Sequence, residues 1–353
     1  MPAASAGRRS FIEPRLVGVD LFCGAGGLTH GLIAAGIPVV AGIDIDPACR
    51  FPFESNNSGV IFHQRSVEDL TADELCEWFD GATTRVLAGC APCQPFSTYT
   101  NGQWTRDSAR WRLLYEFERL ATEVRPEVVT MENVPTIRRH RVFSDFVKAL
   151  TDAGYWVHHE TVDAADYGLP QRRRRIVLLA SLNGPLTLGA PTHDAPRSVQ
   201  DAIGGLPRLD SGEYCLDDPL HIAPYLSPLN LARIRESKPG GTWRDWPERL
   251  RAPCHRRRTG ASYDAVYGRM EWEKLAPTLT TQFFRYGTGR FGHPDQERAL
   301  SLREGALLQG FPSSYQFVPD GTMPAITTAG RLIGNAVPLP LAEAIGQAIT
   351  AAY

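Results

Sequence analysis

An apolar run, Leu16-Val17-Gly18-Val19-Asp20, breaks at Leu21-Phe22-Cys23-Gly24-Ala25-Gly26-Gly27, and helical spacing begins at Leu28. A buried strand that turns through glycines into a helix is the opening unit of an α/β sheet. Glycines at such a turn let backbone N–H groups approach a ligand closely. The next apolar run, 39–43, closes on Asp44. A carboxylate at that point typically holds a ribose diol. The glycine spacing departs from Gly-x-Gly-x-x-Gly, which argues against nicotinamide; a purely structural turn is the alternative.

The alternation continues. Helices are expected at 28–35, 72–79, 111–124 and 143–153, and strands at 86–89, 127–131 and 175–180. The 111–124 segment carries Leu113, Leu114, Phe117, Leu120 and Ala121 near helical spacing. Strands interleaved with helices predict a doubly wound, mostly parallel, Rossmann-like sheet. After Ser181 proline and glycine become frequent and periodicity fades. A helix is expected at 302–309 and another at 339–352, with a β-like stretch at 278–281. The expected organisation is a flexible N-terminus (1–15), an α/β domain (16–183), a smaller, irregular, β-rich domain (184–325), and a C-terminal segment (326–353) that returns to the first domain.

At 353 residues and 43% hydrophobic content the chain can bury a sizeable core. A net charge of −2 means that any nucleic-acid binding comes from local patches. One such patch lies at 233–258, with nine Lys/Arg against three acids and Trp243 and Trp246 interleaved. Either tryptophan could equally be local core. Seven irregularly spaced cysteines fit a reducing cytoplasm better than a disulfide framework. No uninterrupted apolar window approaches a membrane span, and no metal site is expected.

Three further segments carry chemistry. Pro92-Cys93-Gln94-Pro95 follows the apolar strand 86–89 and places a thiol at a strand end. Cys90-Ala91-Pro92-Cys93 could also be a redox pair or half a zinc site, although no second pair lies at usable spacing. Glu132-Asn133-Val134 ends the apolar run around Val128-Val129, where a partly buried carboxyl favours its protonated form. In Gln171-Arg172-Arg173-Arg174-Arg175, strand alternation turns Gln171, Arg173 and Arg175 to one side. Guanidinium forks there can bond carbonyl or phosphate oxygens, while a solvated face is the bland alternative.

Taken in order, these segments resemble the bacterial DNA (cytosine-5) methyltransferases of restriction-modification systems. The resemblance adds residues 298–312, ending Leu308-Gln309-Gly310-Phe311-Pro312, and Gly334-Asn335-Ala336-Val337-Pro338, and so covers nearly the whole chain. It implies a class I methyltransferase fold and S-adenosylmethionine as donor, with S-adenosylhomocysteine as product. It implies Cys93 as nucleophile on cytosine C6, Glu132 as the acid at N3, and Arg173 and Arg175 as supports of the base. Phe22, Gly24, Gly26, Gly27, Asp44, Ile45, Ser66, Pro92, Asn335 and Val337 are the implied cofactor residues. Ser66 stands where the family usually has an adenine-contacting Asp, and Ile45 where a larger apolar residue is frequent. Asp163 replaces a frequent Asn.

Double-stranded DNA is the implied partner, with Gln94, Ser97, Gln171, Arg244, Arg256, Arg257 and Arg258 as candidate contacts. A flipped cytosine is implied, at about a few kcal/mol of unstacking and unpairing. The polar loop 96–110 is expected to close over it as a lid, with an ordinary surface loop as the alternative. A monomer in the bacterial cytoplasm, with a separately acting restriction endonuclease as companion, completes the expectation. A tRNA cytosine-5 methyltransferase and a non-catalytic DNA-binding regulator are the competing readings. A sizeable basic insertion and the lack of a Cys-Phe-Thr motif argue against the first. Cys93, Glu132 and Arg175 together argue against the second.

Overall fold

In the computed structural model, residues 16–92, 109–191, 196–257 and 263–353 are described. Cys93, Gln94, Ser97, Arg258, the N-terminus and nearly all of the expected lid lie outside them.

Seven strands form one sheet: β1 (Leu16–Leu21), β2 (Val39–Asp44), β3 (Ile61–Gln64), β4 (Thr84–Gly89), β5 (Val128–Asn133), β6 (Trp156–Asp163) and β7 (Arg174–Ser181). Their order is β3-β2-β1-β4-β5-β7-β6. The pairs from β3 to β5 are parallel, and β7 runs antiparallel to both β5 and β6. The α-helices are α1 (Gly27–Ala34), α2 (Arg50–Asn56), α3 (Ala72–Trp78), α4 (Ala109–Val124), α5 (Arg141–Asp152), α6 (Val199–Ile203), α7 (Pro228–Glu236), α8 (Leu302–Leu308), α9 (Ile326–Asn335) and α10 (Leu339–Thr350).

Strand alternation divides the core between the two faces of the sheet. Val17, Val19, Leu21, Leu87, Val129 and Leu178 join Phe117 and Leu120 of α4 and Phe146 of α5. Val86, Val128, Val177 and Leu179 join Leu28 and Leu32 of α1 and Ile345 of α10. Helices α1 and α10 approach closely: a Cβ at Gly31 would lie 2.4 Å from that of Ala342. The C-terminal Tyr353 shares a 2.7 Å hydrogen bond with Ser181 at the end of β7. By length and composition Ile326–Thr350 could cross a bilayer, but its apolar window is 67% buried inside the molecule.

The expected β-rich character of 184–325 is corrected. Among the described residues after Ser181 there is no strand, only isolated bridges such as Gln171–Ala276 and Arg269–Gly292. Short helices and turns fill the region. Its Leu186, Leu220, Met270, Leu279 and Phe283 belong to the same apolar core as α1 and α10. Both Trp243 and Trp246 are buried, packed with Leu250.

Candidate active site

The parallel strands β1, β2 and β4 all end at one edge, where polar residues replace the apolar runs. After β1 the chain turns sharply: Phe22 (φ 60°) and Gly24 (φ 55°) are left-handed, as is Gly26 (φ 89°) at the start of α1. The left-handed region is rare for a bulky residue such as Phe22, and such strain clusters at ligand sites. Asp44 stabilises the turn by accepting hydrogen bonds from Gly24 N (3.0 Å) and Asp46 N (2.9 Å). Burial raises its pKa above the ordinary carboxylate value. Tyr315 donates to the Ala25 carbonyl from the other side (2.6 Å).

The turn opens into a cavity of about 570 Å³, within the usual size of a small-molecule site. Of the expected cofactor residues, Phe22, Gly24, Asp44, Ile45, Ser66, Pro92, Asn335 and Val337 line it. Gly26 and Gly27, expected there as well, are buried in the turn and are not among the lining residues. A Cβ at Gly27 would stand 2.6 Å from the Val337 carbonyl, so the C-terminal segment closes directly onto the turn. Ile45 is 69% exposed and offers an apolar face next to Asp44. Ser66 caps a short turn, accepting from Glu68 N (3.2 Å). The acid, the open turn at Gly24 and the apolar ledge fit an adenosine-like ligand. Cys23 and Cys49 also line the cavity, but burial raises their thiol pKa and keeps them unreactive.

Among the wall residues whose place here the sequence did not disclose are Arg331, Arg112 and Cys90, the last read only as part of a Cys-x-x-Cys pair. Arg331 lies one helical turn before Asn335 on α9 and pairs with Asp46 (2.6 Å). Arg112 pairs with Glu68 (3.2 Å). Cys90 lines the same cavity. The i, i+4 spacing of Arg331 and Asn335 was the available signal for the first.

Beside the cavity stands the acid. Glu132, at the end of β5, is 3% exposed. Arg175 Nε lies 2.9 Å from its Oε1. That N–H is not aimed at the oxygen, so the two are charge neighbours and Oε1 accepts no hydrogen bond. Cys90 Sγ donates to the other oxygen, Oε2, at 3.1 Å. Asn133 donates to the Ala91 carbonyl (2.9 Å) and pins the exit of β4, immediately before Pro92 and Cys93. Among the described residues no group of three or more His, Cys, Asp or Glu converges as a metal site.

The sequence matches the family described as C-5 cytosine-specific DNA methylase over residues 16–351. The chain belongs to that family. It is 49% identical to the type II methylase M.HgiDII of Herpetosiphon aurantiacus over 336 residues, 94% of each chain. It is 32% identical to the type II methyltransferase M.XorII of Xanthomonas oryzae, covering 95% of this chain and 84% of that one. Among solved structures, a protein described as a DNA modification methyltransferase encoded within an E. coli prophage superposes with TM-score 0.74 at 22% identity, covering 95% and 99% of the two chains. A Spodoptera frugiperda DNMT2 mutant gives 0.64 at 17%, covering 93% and 97%. These two likenesses speak to fold alone. The chain is a DNA cytosine-5 methyltransferase.

Other expected contacts fall elsewhere in the methylase. Arg173 was expected beside the base. Its guanidinium instead donates to the carbonyls of Leu279 (3.0 Å), Gly334 (3.0 Å) and Ala336 (3.3 Å). It ties the start of β7 to the segment that closes onto the cavity. Gln171, expected on DNA, is fully buried: its amide donates to the Leu308 carbonyl (3.0 Å) and accepts from Leu279 N (2.8 Å). Alternation turned 171, 173 and 175 inward together, but only Arg175 meets Glu132.

The basic insertion is also corrected in part. Arg233 is buried against the Leu250 carbonyl (2.9 Å). Arg235 pairs with Glu297 (2.7 Å). Arg244 pairs with Asp264 and lies over the Trp243 ring. Arg256 donates to the Glu248 carbonyl (3.1 Å). Arg244, Arg256, Arg257 and Arg249 remain exposed.

Proposed function

We propose that this methylase transfers the methyl group of S-adenosylmethionine to C5 of a flipped cytosine within a specific duplex site. The observation that carries the reading is the placement of buried Glu132, with Arg175 beside it, next to the cavity at the edge from which Cys93 follows Pro92. In this reading Asp44 holds the ribose, Ile45 and Ser66 border the adenine, and Phe22 and Asn335 close the cavity. When bound, S-adenosylmethionine supplies an electrophilic methyl group for the activated ring carbon.

The chain's own residues prepare that carbon. The Cys93 thiolate adds to C6 and breaks the aromaticity of the ring. Glu132 bonds N3, so the ring can accept the electron pair. Arg175 balances charge at Glu132 and the O2 edge. After transfer the C5 proton leaves to solvent and Cys93 departs by elimination, restoring the ring. A low-dielectric pocket strengthens each of these contacts.

Residues 184–325 supply the surface for DNA on this reading, with 16–183 and 326–353 as the catalytic body. Arg249 and Arg257 are among its exposed cations, for phosphates or guanine edges. The type II relatives support a role in marking host DNA against a separate endonuclease. Bisulfite sequencing of DNA from cells expressing the wild-type chain and Cys93→Ala tests the reading. Protected cytosines at one recurring sequence, lost in the variant, are expected; an unprotected genome with soluble wild-type protein overturns it.

A further inference from the structure

We propose that Cys90 is a positioning residue for Glu132, selecting which carboxyl oxygen meets the base. This deepens the proposed function and rests on it. The geometry follows from the sheet. Strands β4 and β5 are parallel, with Gly89 opposite Met131, so the next residue on each, Cys90 and Glu132, comes level. Cys90 N donates to the Leu21 carbonyl (3.3 Å), which fixes its backbone to β1. Asn133 holds the following residue, Ala91, through its carbonyl. The thiol therefore hangs from a doubly anchored position, and its S–H reaches Glu132 Oε2 at 3.1 Å.

The two carboxyl oxygens are thereby made unequal. Oε2 already accepts a hydrogen bond. Oε1 is buried, accepts none, and has the Arg175 charge 2.9 Å away. A buried oxygen without a hydrogen-bond partner is costly unless another group completes it. The ring edge of the base is the group that does so. A thiol suits this task because it is a weak donor. It orients the carboxyl without competing strongly when the acid engages its substrate. Without it the carboxyl is free to rotate, and either oxygen can turn towards Arg175. Cys90 also lines the cofactor cavity, so it stands between the acid and the methyl donor's site.

The test measures methyl transfer by the full-length protein to unmethylated bacterial duplex DNA. Cys90→Ala is expected to lower kcat about fivefold to tenfold, the scale of a weak bond to a charged group. The KM for S-adenosylmethionine stays within about twofold. Cys90→Ser, which keeps a donor, is expected to recover most of the rate. In a Glu132→Gln background, Cys90→Ala adds no further loss, because the thiol acts through the carboxyl. An unchanged kcat in Cys90→Ala, a serine variant as slow as the alanine one, or full additivity with Glu132→Gln overturns the proposal.

Wild-type protein that methylates no duplex DNA would instead defeat the functional reading. The infrared S–H stretch then decides the role of the thiol. Taken as wild type minus Cys90→Ala, its frequency is expected to rise when Glu132→Leu removes the acceptor. A band at the same position in both backgrounds overturns the proposal whatever the activity.

Discussion

Between Leu16 and Ser181 strand ladders and helices satisfy the buried backbone; between 182 and 325 turn hydrogen bonds are joined by buried arginines that donate to backbone carbonyls. Arg269 donates to the carbonyls of His293 (2.9 Å), Gln296 (3.1 Å) and Ile234 (3.4 Å). Arg303 bridges Asp218 (2.6 Å) and the Tyr315 carbonyl (3.2 Å). Fully buried Arg298 grips Glu304 with two bonds (2.6 and 2.8 Å) and reaches the Ala299 carbonyl (3.1 Å). Buried backbone carbonyls need partners, and a guanidinium offers five donors in a fixed fork. A region with no strand among its described residues is thus cross-tied by side chains, and its basic residues are not a simple measure of DNA contact. The sheet half, in contrast, leaves its strand ends open for chemistry.

Variants on either side can break this contrast. The largest expected effect is on chemistry alone. Cys93→Ala should lower methyl transfer at least about a thousandfold while leaving DNA binding measurable by gel shift; near-wild-type turnover excludes a covalent role. In the other half, Arg298→Ala should leave stability reduced by about 3–5 kcal/mol, because Glu304 becomes a buried unpaired charge. Chemical denaturation reads this. Pairing Arg298→Met with Glu304→Leu should recover most of the loss, and an equally unstable double variant contradicts the strut account.

Asp20 sharpens the comparison from within the sheet. Burial raises its pKa from 3.8 to about 7, despite a 2.7 Å bond from Thr29, and its Oδ1 lacks a partner. The folded chain holds the proton more tightly than the unfolded one. The stability that this group contributes is therefore full below about pH 4 and is lost as pH rises to about 7, at most roughly 4 kcal/mol. Asp20→Asn should flatten that slope in thermal melts taken across the interval. The smallest effect belongs to exposed Arg257. Arg257→Ala should weaken DNA binding a few-fold and lower the salt slope by about one; an unchanged slope removes it from the interface.

The same contrast explains what the sequence disclosed. Strands β1, β2, β4, β5 and β7 are buried on both faces, so each reads as an apolar run. The edge strands β3, Ile61–Gln64, and β6, Trp156–Asp163, carry His63, His158 and Glu160 among half-buried positions and gave no such run. Glu132 was legible because a charge abruptly ends an apolar strand. Its thiol partner was not, since only the β4–β5 register brings Cys90 level with it. Arg173 and Gln171 misled for a related reason. Alternation shows which side a residue faces, but not whether substrate or protein waits there. The arginines of 233–258 read as a DNA surface because partners such as Glu297 for Arg235 and Asp264 for Arg244 lie outside the local run.

The central claim is that sulfur at position 93 bonds transiently to a cytosine held beside Glu132. Duplex DNA synthesised with 5-fluorocytosine at every cytosine tests it without knowledge of the recognition site, because fluorine at C5 cannot leave as a proton. Incubated with the protein and S-adenosylmethionine, this DNA should yield a denaturant-stable adduct whose peptide maps to Cys93 and which Cys93→Ala does not form. An enzyme that methylates ordinary DNA yet leaves no adduct on the fluorinated duplex would contradict the account.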